Sequence, residues 1–349
     1  MHERGEQRPK SNTITRLYAD LVVDASGRHS KAPQWLTDLG YEAPRVETIN
    51  SNLRYASRFY LKPEQFPAKW QNIIINGRPQ NDRGGVMLSV DNGRWHVTLG
   101  SMAGKAPPID EEGFLQWAQE LADPSIYEAI RIAQPLTPIR GYGTPENHLR
   151  HFELMQRWPT GFIVIGDAVC AFNPIYGQGM TVSAFGAMVL KRCLQKQEQQ
   201  SSPRVNFEQY FQQQLAETIA TPWLLATSED LRWPTVKLRG ASPNPRLYFL
   251  RRYLDLVLYA AIIDPKIAQA YFSVIILATP LRSMGNLRMA TRILSVASKR
   301  AIKRLLRGED SCDQALSQEE ISLIHSLPIS NDNNKTRPPV SFIERRCER

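Results

Sequence analysis

The chain has 349 residues, of which 42% are hydrophobic and 22% charged. That length allows two domains or one elaborated domain, and the composition excludes a collagen-like or wholly disordered chain. Forty-three Lys and Arg against 34 Asp and Glu leave a net charge of +9, a bias toward an anionic partner that does not say which one.

Cys170, Cys193, Cys312 and Cys347 form no CxxC pair. Their spacing suits neither zinc nor a disulfide framework, so a reducing, cytoplasmic compartment is the simplest reading. The polar start Met1-His2-Glu3-Arg4 has no apolar signal-peptide core. The uncharged stretch Ala168 to Leu190 after Asp167 is long enough to mimic a membrane span. Asn173, Pro174, Gly177, Gln178 and Gly179 in its first half argue against that. A second stretch, Leu256 to Leu281, is interrupted by Asp264, Pro265 and Lys266.

In chain order, Leu17 to Val23 reads as a strand closed by the turn Asp24-Ala25-Ser26-Gly27. Leu53 to Leu61 alternates as a half-buried strand, with Leu53, Tyr55, Phe59 and Leu61 on one face and Arg54, Arg58 and Tyr60 on the other. Asp91-Asn92-Gly93 between the apolar runs Val86–Val90 and Trp95–Leu99 is a hairpin signal. Residues 50–105 are therefore expected to form an antiparallel sheet. Asp110 caps a helix whose apolar side is Phe114, Leu115, Trp117, Ala118 and Leu121. Phe162 to Ile165 is a short strand, 166–178 a loop, and Gly179 to Leu194 a helix. Phe207, Tyr210, Phe211, Leu215, Ile219 and Trp223 recur at helical spacing, and further helices extend to Leu306. From Gly308 the chain turns polar, and Ser330 to Pro339 looks disordered.

The densest chemical signal is Gly161 to Leu190. A buried strand delivers Asp167 at its C-terminal end, where open α/β sheets bind ligands. The nearest basic residue downstream is Lys191, so Asp167 has no local salt-bridge partner and can accept hydrogen bonds from ligand hydroxyls. Pro174 stiffens the loop. Gly177 and Gly179 let backbone N–H groups approach a flat ligand, and the following helix turns its positive end toward the loop. In the bland reading, Asp167 is only a cap and the glycines only shape a turn.

Gly166-Asp167-Ala168, then Asn173-Pro174, then Gly177-Gln178-Gly179-Met180-Thr181, resembles the second FAD-binding motif of flavoprotein monooxygenases with the aromatic-hydroxylase (glutathione-reductase-like) fold. The resemblance implies that Asp167 holds ribityl hydroxyls of FAD. It also implies that Pro174, Gly177, Gln178, Gly179 and Met180 shape the ring site. The segment Ala19 to Ser30 resembles another motif of that family, placing Asp24, Ser26, Gly27 and Arg28 beside the cofactor. It departs from the hydroxylase form, since Ser26 replaces an Asp and Pro33 stands where an Arg is expected. The Asp-Ala-Ser-Gly version is similar to that of flavin halogenases, isoprenoid reductases and some epoxidases. The resemblance spans roughly Leu17 to Leu306, including Glu128 to Ile130.

The implied fold is α/β (α+β): an incomplete FAD-binding three-layer domain with an inserted antiparallel substrate-domain sheet and a C-terminal helical region. The expected segments are 1–48 and 156–200 for the FAD domain, 49–155 for the substrate domain, 201–307 for the helical region and 308–349 for the tail. The family's Gly-x-Gly-x-x-Gly pyrophosphate loop is absent from the sequence. An N-terminally truncated chain is therefore expected, with no site for the ADP half and weak or absent FAD binding on its own.

The implied activity is FAD-dependent hydroxylation or epoxidation of a hydrophobic small molecule with O2, through a flavin C4a-peroxide. NADPH or another reductant is left open, and no catalytic acid or base is assigned. The alternatives are a flavin-dependent reductase of isoprenoid double bonds and a non-catalytic remnant. No Gly-x-Ser-x-Gly elbow supports a hydrolase, and no Trp-x-Trp-x-x-Pro signature supports halogenation. His148 and His151, three apart, are not expected to form a metal site, and nothing points to nucleic acid. Residues 282–307 carry Arg282, Arg288, Arg292, Lys299, Arg300, Lys303, Arg304 and Arg307 with no acid, beside Ile293, Ala297, Ala301 and Leu305. Peripheral membrane contact and an ordinary packed helix are both open readings there.

Overall fold

The structure, a computed structural model, describes residues 16–64, 66, 70–77, 81–143, 146–199, 206–240, 245–307 and 341–342. The expected polar tail lies almost wholly outside them. The first described elements are β1 (Val22–Asp24), α1 (Ala32–Asp38) and β2 (Arg45–Asn50). Then come β3 (Arg54–Leu61), β4 (Asn72–Ile75), β5 (Arg83–Val90) and β6 (Arg94–Ser101), followed by α2 (Glu111–Gln119) and α3 (Ser125–Ile130). The chain continues with β7 (Gln134–Pro135), β8 (Arg140–Tyr142), β9 (Asn147–His151), β10 (Phe162–Val164) and β11 (Cys170–Ala171). Two long helices follow, α4 (Gly179–Glu198) and α5 (Phe207–Asp230), then β12 (Lys237–Arg239). The rest is α6 (Pro245–Ile263), α7 (Pro265–Ile275), α8 (Leu287–Arg307) and β13 (Ser341–Phe342).

Among the described residues the strands form three sheets. β1 and β10 form a two-stranded parallel pair. β11, β9, β2 and β12 form an antiparallel sheet in that order. The largest sheet runs β13-β4-β5-β6-β3-β7, with β8 also pairing with β3. Its β3–β6 strands are the expected antiparallel unit. Asn92 and Gly93 both adopt positive φ in the β5–β6 connection, the backbone state this dipeptide tolerates.

α2 begins where expected. The Asp110 carboxylate accepts from the Gly113 N–H at 2.8 Å, satisfying one orphan donor of the first turn. Phe114, Trp117 and Ala118 pack with Ile126 and Ala129 of α3 against Trp95, Val97, Leu99 and Met87 of the sheet. β3 alternates as expected, but the face turned to this core is Ala56, Arg58 and Tyr60. Arg58 tolerates burial because its Nε donates to the Thr137 carbonyl at 2.7 Å and Nη1 to Glu111 at 2.5 Å. The other face carries aromatic stacks, Tyr55 on Tyr142 and Phe59 on His96.

A second core lies under β1 and β10, where Ile163 and Val164 meet Val182 and Val189 of α4 and Phe211, Leu215 and Ile219 of α5. Gly186 allows this approach: a Cβ there would sit 3.1 Å from Ile165 Cγ1 and 3.3 Å from Leu215 Cδ1. The helices α6, α7 and α8 share a third core around Val257, Ala260, Ile267, Val274 and Ile293. Leu215 is 1% exposed. Its truncation to Ala is expected to cost roughly 2–5 kcal/mol, read as a lowered urea midpoint at unchanged m-value.

Candidate functional site

The parallel pairing of β1 and β10 aligns Val22 with Phe162, Val23 with Ile163 and Asp24 with Val164. In-register parallel strands end on the same side. The turn 24–27 and the turn 166–168 therefore emerge next to each other, although 140 residues separate Asp24 from Val164 in the chain. The Ile165 N–H donates to the Asp24 carbonyl at 3.0 Å and closes the junction.

The two aspartates at these strand ends do different things. Asp24 is buried. Its carboxylate accepts from the Ser26 N–H at 2.9 Å and the Ser30 hydroxyl at 2.5 Å. Burial works to raise its pKa, but these donors and the nearby charge of Arg150 outweigh it and hold Asp24 below the usual range. Both of its oxygens are bonded locally, Oδ1 by Ser26 and Oδ2 by Ser30. Asp167 is half-buried, and its carboxylate has no hydrogen bond among the described residues. A Cβ on Gly179, the first residue of α4, would lie 3.9 Å from Asp167 Oδ1. The carboxylate thus stands beside the N-terminus of a 20-residue helix, leaving oxygen lone pairs for a ligand.

Arginines lock the two turns together. Arg28 donates Nη2 to the Phe172 carbonyl at 2.9 Å and Nη1 to the Glu146 carbonyl. Arg150, on β9, donates Nη1 to the Ala168 carbonyl at 2.6 Å and Nη2 to the Arg28 carbonyl at 3.0 Å. Burial lowers the pKa of both guanidiniums; Asp167 supports the charge on Arg28, and Asp24 that on Arg150. His148 contacts the Asp167 carbonyl through Nε2 at 3.3 Å. Burial, with Arg150 and Arg28 beside it, pushes His148 down to about 4, so it is neutral near pH 7. His151 instead pairs through Nδ1 with Glu153 at 2.6 Å, which raises its pKa. Among the described residues no group of His, Cys, Asp or Glu could hold a metal ion.

The loop after Asp167 is open on its outer side. Pro174, Ile175, Gly177 and Met180 are exposed, Met180 at 87%. Gly177 adopts φ 63° and caps the 174–176 turn, with nothing within 4 Å of where a Cβ would be. Gly27, at φ 85° in the neighbouring turn, has equally open space, and Ser26 is exposed. Gln178 differs: it is buried, and its Nε2 lies 3.5 Å from the Ile275 carbonyl. Of the ten candidate residues, Pro174, Gly177, Met180 and Ser26 are exposed and Asp167, Gly179 and Gly27 are partly exposed, the side chains of Asp24 and Arg28 are engaged by the scaffold, and Gln178 keeps its buried Oε1 without a partner among the described residues.

Beneath the open loop lies a buried polar network. The Asn173 side chain accepts from the Ile175 N–H at 3.2 Å and donates to Ser51 Oγ at 3.0 Å. Asn147 accepts from the Asn173 N–H at 2.5 Å and donates to Asp230. The Tyr176 hydroxyl donates to Asp230 Oδ1 at 2.5 Å. Asp230 is 0% exposed. Burial raises its pKa to about 6 against the donors Tyr176, Ser51 and Asn147, with Glu229 adding to the rise. Sequence reasoning missed Arg150 and Asp230, because each is joined to the motif only through the tertiary fold. A hollow of about 490 Å³ lies at the opposite, N-terminal end of β1 and β10, lined by Val22, Trp35, Leu39 and Phe162 among others. It is remote from the two motif turns.

No family model matches the chain. It is 30% identical over 267 residues to Protein Rv3254 of Mycobacterium tuberculosis (strain ATCC 25618 / H37Rv), covering 76% of this chain and 54% of that protein. The chain thus spans about half the length of the curated relative it matches. It is also similar to a flavoprotein/dehydrogenase from Cytophaga hutchinsonii, with TM-score 0.49 and 15% identity over 80% of this chain and 62% of the other. The flavin-dependent halogenase CmlS gives TM-score 0.47 and 13% identity over 70% and 45%. PqsL, a probable FAD-dependent monooxygenase of Pseudomonas aeruginosa, gives 0.44 and 17% over 61% and 57%.

The network makes stability depend on pH. A carboxyl raised to about 6 in the folded state stabilises the fold below about pH 4, its unfolded range, and this contribution is lost as pH rises through 6. Between about pH 4 and 7, wild type is therefore expected to lose up to about 3 kcal/mol relative to Asp230→Asn. Urea midpoints of the two proteins across that range measure it; parallel profiles would refute it.

Proposed function

We propose that the chain carries the ribityl- and ring-facing half of an FAD site and serves an FAD-dependent oxidoreductase of the monooxygenase type, acting on a hydrophobic small molecule with O2. The observation that carries this reading is the unengaged Asp167 carboxylate. It sits at the end of a parallel strand, beside a glycine-initiated helix and an outward-open Pro174–Gly177 loop. This donor set fits a polyol next to a flat ring. The carboxylate accepts from hydroxyls, Gly177 and Gly179 present backbone without side chains, and Pro174 gives a rigid edge. When bound, FAD supplies reversible two-electron transfer and, once reduced, reactivity toward dioxygen.

The chain's own residues do the positioning. Asp167 orients the polyol. The amino end of α4 favours negative charge by about 0.3–1 kcal/mol, which helps an electron-rich ring. Asn173 and Tyr176, held by Asp230 and Asn147, keep the loop in one conformation so that little ordering is left for binding. Arg28 and Arg150 fix the spacing of the two turns from behind. The stacked face of the large sheet, Tyr55 with Tyr142 and Phe59 with His96, offers an aromatic floor for an apolar substrate.

Titration of the full chain with riboflavin and, separately, FAD, followed by quenching of flavin fluorescence, tests the reading. Riboflavin is expected to bind about as well as FAD, both weakly, because the residues assigned here contact only the shared half. Asp167→Ala should weaken both by about tenfold or more, the scale of a hydrogen bond to a charged acceptor. No binding of either flavin, or unchanged binding by the variant, would reject the site. With flavin bound, oxygen-independent reduction of an isoprenoid double bond would favour a reductase instead.

A further inference from the structure

Residues 245–307 contain twelve Lys and Arg against two Asp and no Glu, a surplus of ten. The remaining chain has 31 basic and 32 acidic residues, so the whole positive bias of the protein resides in the last three helices. Both acids there are paired: Asp255 with Arg232 at 2.7 Å and Asp264 with Arg292 at 2.5 Å. Lys266, Arg282 and Arg288 are exposed.

The same helices leave apolar side chains in water after their shared core is filled. On α6, Phe249, Leu256 and Ile263 follow at intervals of seven, one helix face, and are 72%, 37% and 39% exposed. On α8, Leu287 and Leu294 are again seven apart, at 80% and 54%, while Met289, Ile293 and Val296 face the core. Ile276, at the end of α7, is 64% exposed. The Asp264–Arg292 ion pair ties the end of the α6 stripe to α8. Among the described residues no helix is long and apolar enough to cross a membrane.

We propose that the α6–α8 region docks the protein on an anionic phospholipid surface, with Leu287, Leu294, Leu256 and Ile263 entering the headgroup–acyl boundary and the basic surplus held by lipid charge. An amphipathic surface of this kind needs both parts, since apolar insertion supplies residence and basic residues supply selectivity for anionic lipid. A charged nucleic acid would use the cations and leave the leucines idle. A second copy of the chain would bring the same surplus of ten against itself, so charge complementarity favours the bilayer. An apolar substrate that partitions into lipid would then meet the enzyme where it is most concentrated.

Flotation of the full chain with phosphatidylcholine vesicles, with and without phosphatidylglycerol, tests the proposal. Binding is expected only with the anionic lipid and should weaken as salt is raised. The double variant Leu287→Glu/Leu294→Glu, at two exposed positions, should reduce partitioning by about tenfold or more, the scale set by removing two buried leucines. Unchanged far-ultraviolet circular dichroism confirms that the variant is folded; if it is not, Leu287→Ser/Leu294→Ser replaces it in the same assay. No binding to anionic vesicles would overturn the proposal. So would binding that ignores the leucines, or a leucine-dependent dimer by analytical ultracentrifugation without flotation. Flavin titration of the same variants keeps the two readings apart, because loss of docking leaves flavin binding intact.

Discussion

The parallel register of β1 and β10 is the constraint on which the rest depends. It is short, three residues on each side, and a pair of that length is not stable alone. Its position is fixed from outside. The core side chains of α4 and α5 press on one face, and Arg150 reaches from a different sheet to the carbonyls of both turns. A single guanidinium bonded to two backbone oxygens sets both the spacing and the relative orientation of the strand ends. A one-residue slip would bring Asp167 out on a different level from the Ser26–Gly27 turn, and the two turns would no longer lie side by side.

Two aspartates with similar sequence settings thereby acquire opposite roles. Asp24 lies among donors that its own turn supplies, which makes it a structural anchor charged across the neutral range. Asp167 follows a glycine with φ 66°, and His148 from β9 contacts its carbonyl rather than its carboxylate. The neutral imidazole of His148 and the charge of Arg28 near Asp167 make an environment in which an unpaired carboxylate is tolerated without being consumed. A site needs a polar group that the fold leaves unspent, and here the fold leaves this one.

Local structure was legible in the sequence wherever one short stretch determines it. The Asp110 cap, the Asn92-Gly93 hairpin, the strand at Phe162 and the long helix at Gly179 each follow from neighbouring residues. The orientation of β3 was not, because a buried arginine is acceptable only when Glu111 and the Thr137 carbonyl, both distant in sequence, arrive to meet it. The same reason hid the support of the site. Arg150 sits in a strand, Asn147–His151, with a single apolar residue and no alternating pattern, and Asp230 is the last residue of a helix. Neither carries a local pattern, and only the fold brings them to the motif. Residue type alone could not separate Asp24 from Asp167 either, since the difference lies in which donors fall within reach.

The charge of the chain divides in the same physical way. The part that builds the two-turn site is nearly neutral, and the helices beyond it carry the positive surplus, so the proposed flavin site and the proposed lipid-facing surface fall in separate regions. The most direct test of the central claim is a crystal structure of the protein with riboflavin bound. The account predicts the ribityl chain within hydrogen-bond distance of the Asp167 carboxylate, with the ring against the Pro174–Gly177 loop. A ligand seated elsewhere, or an Asp167 side chain turned into an ion pair with Arg28 while the ligand is bound, would contradict it.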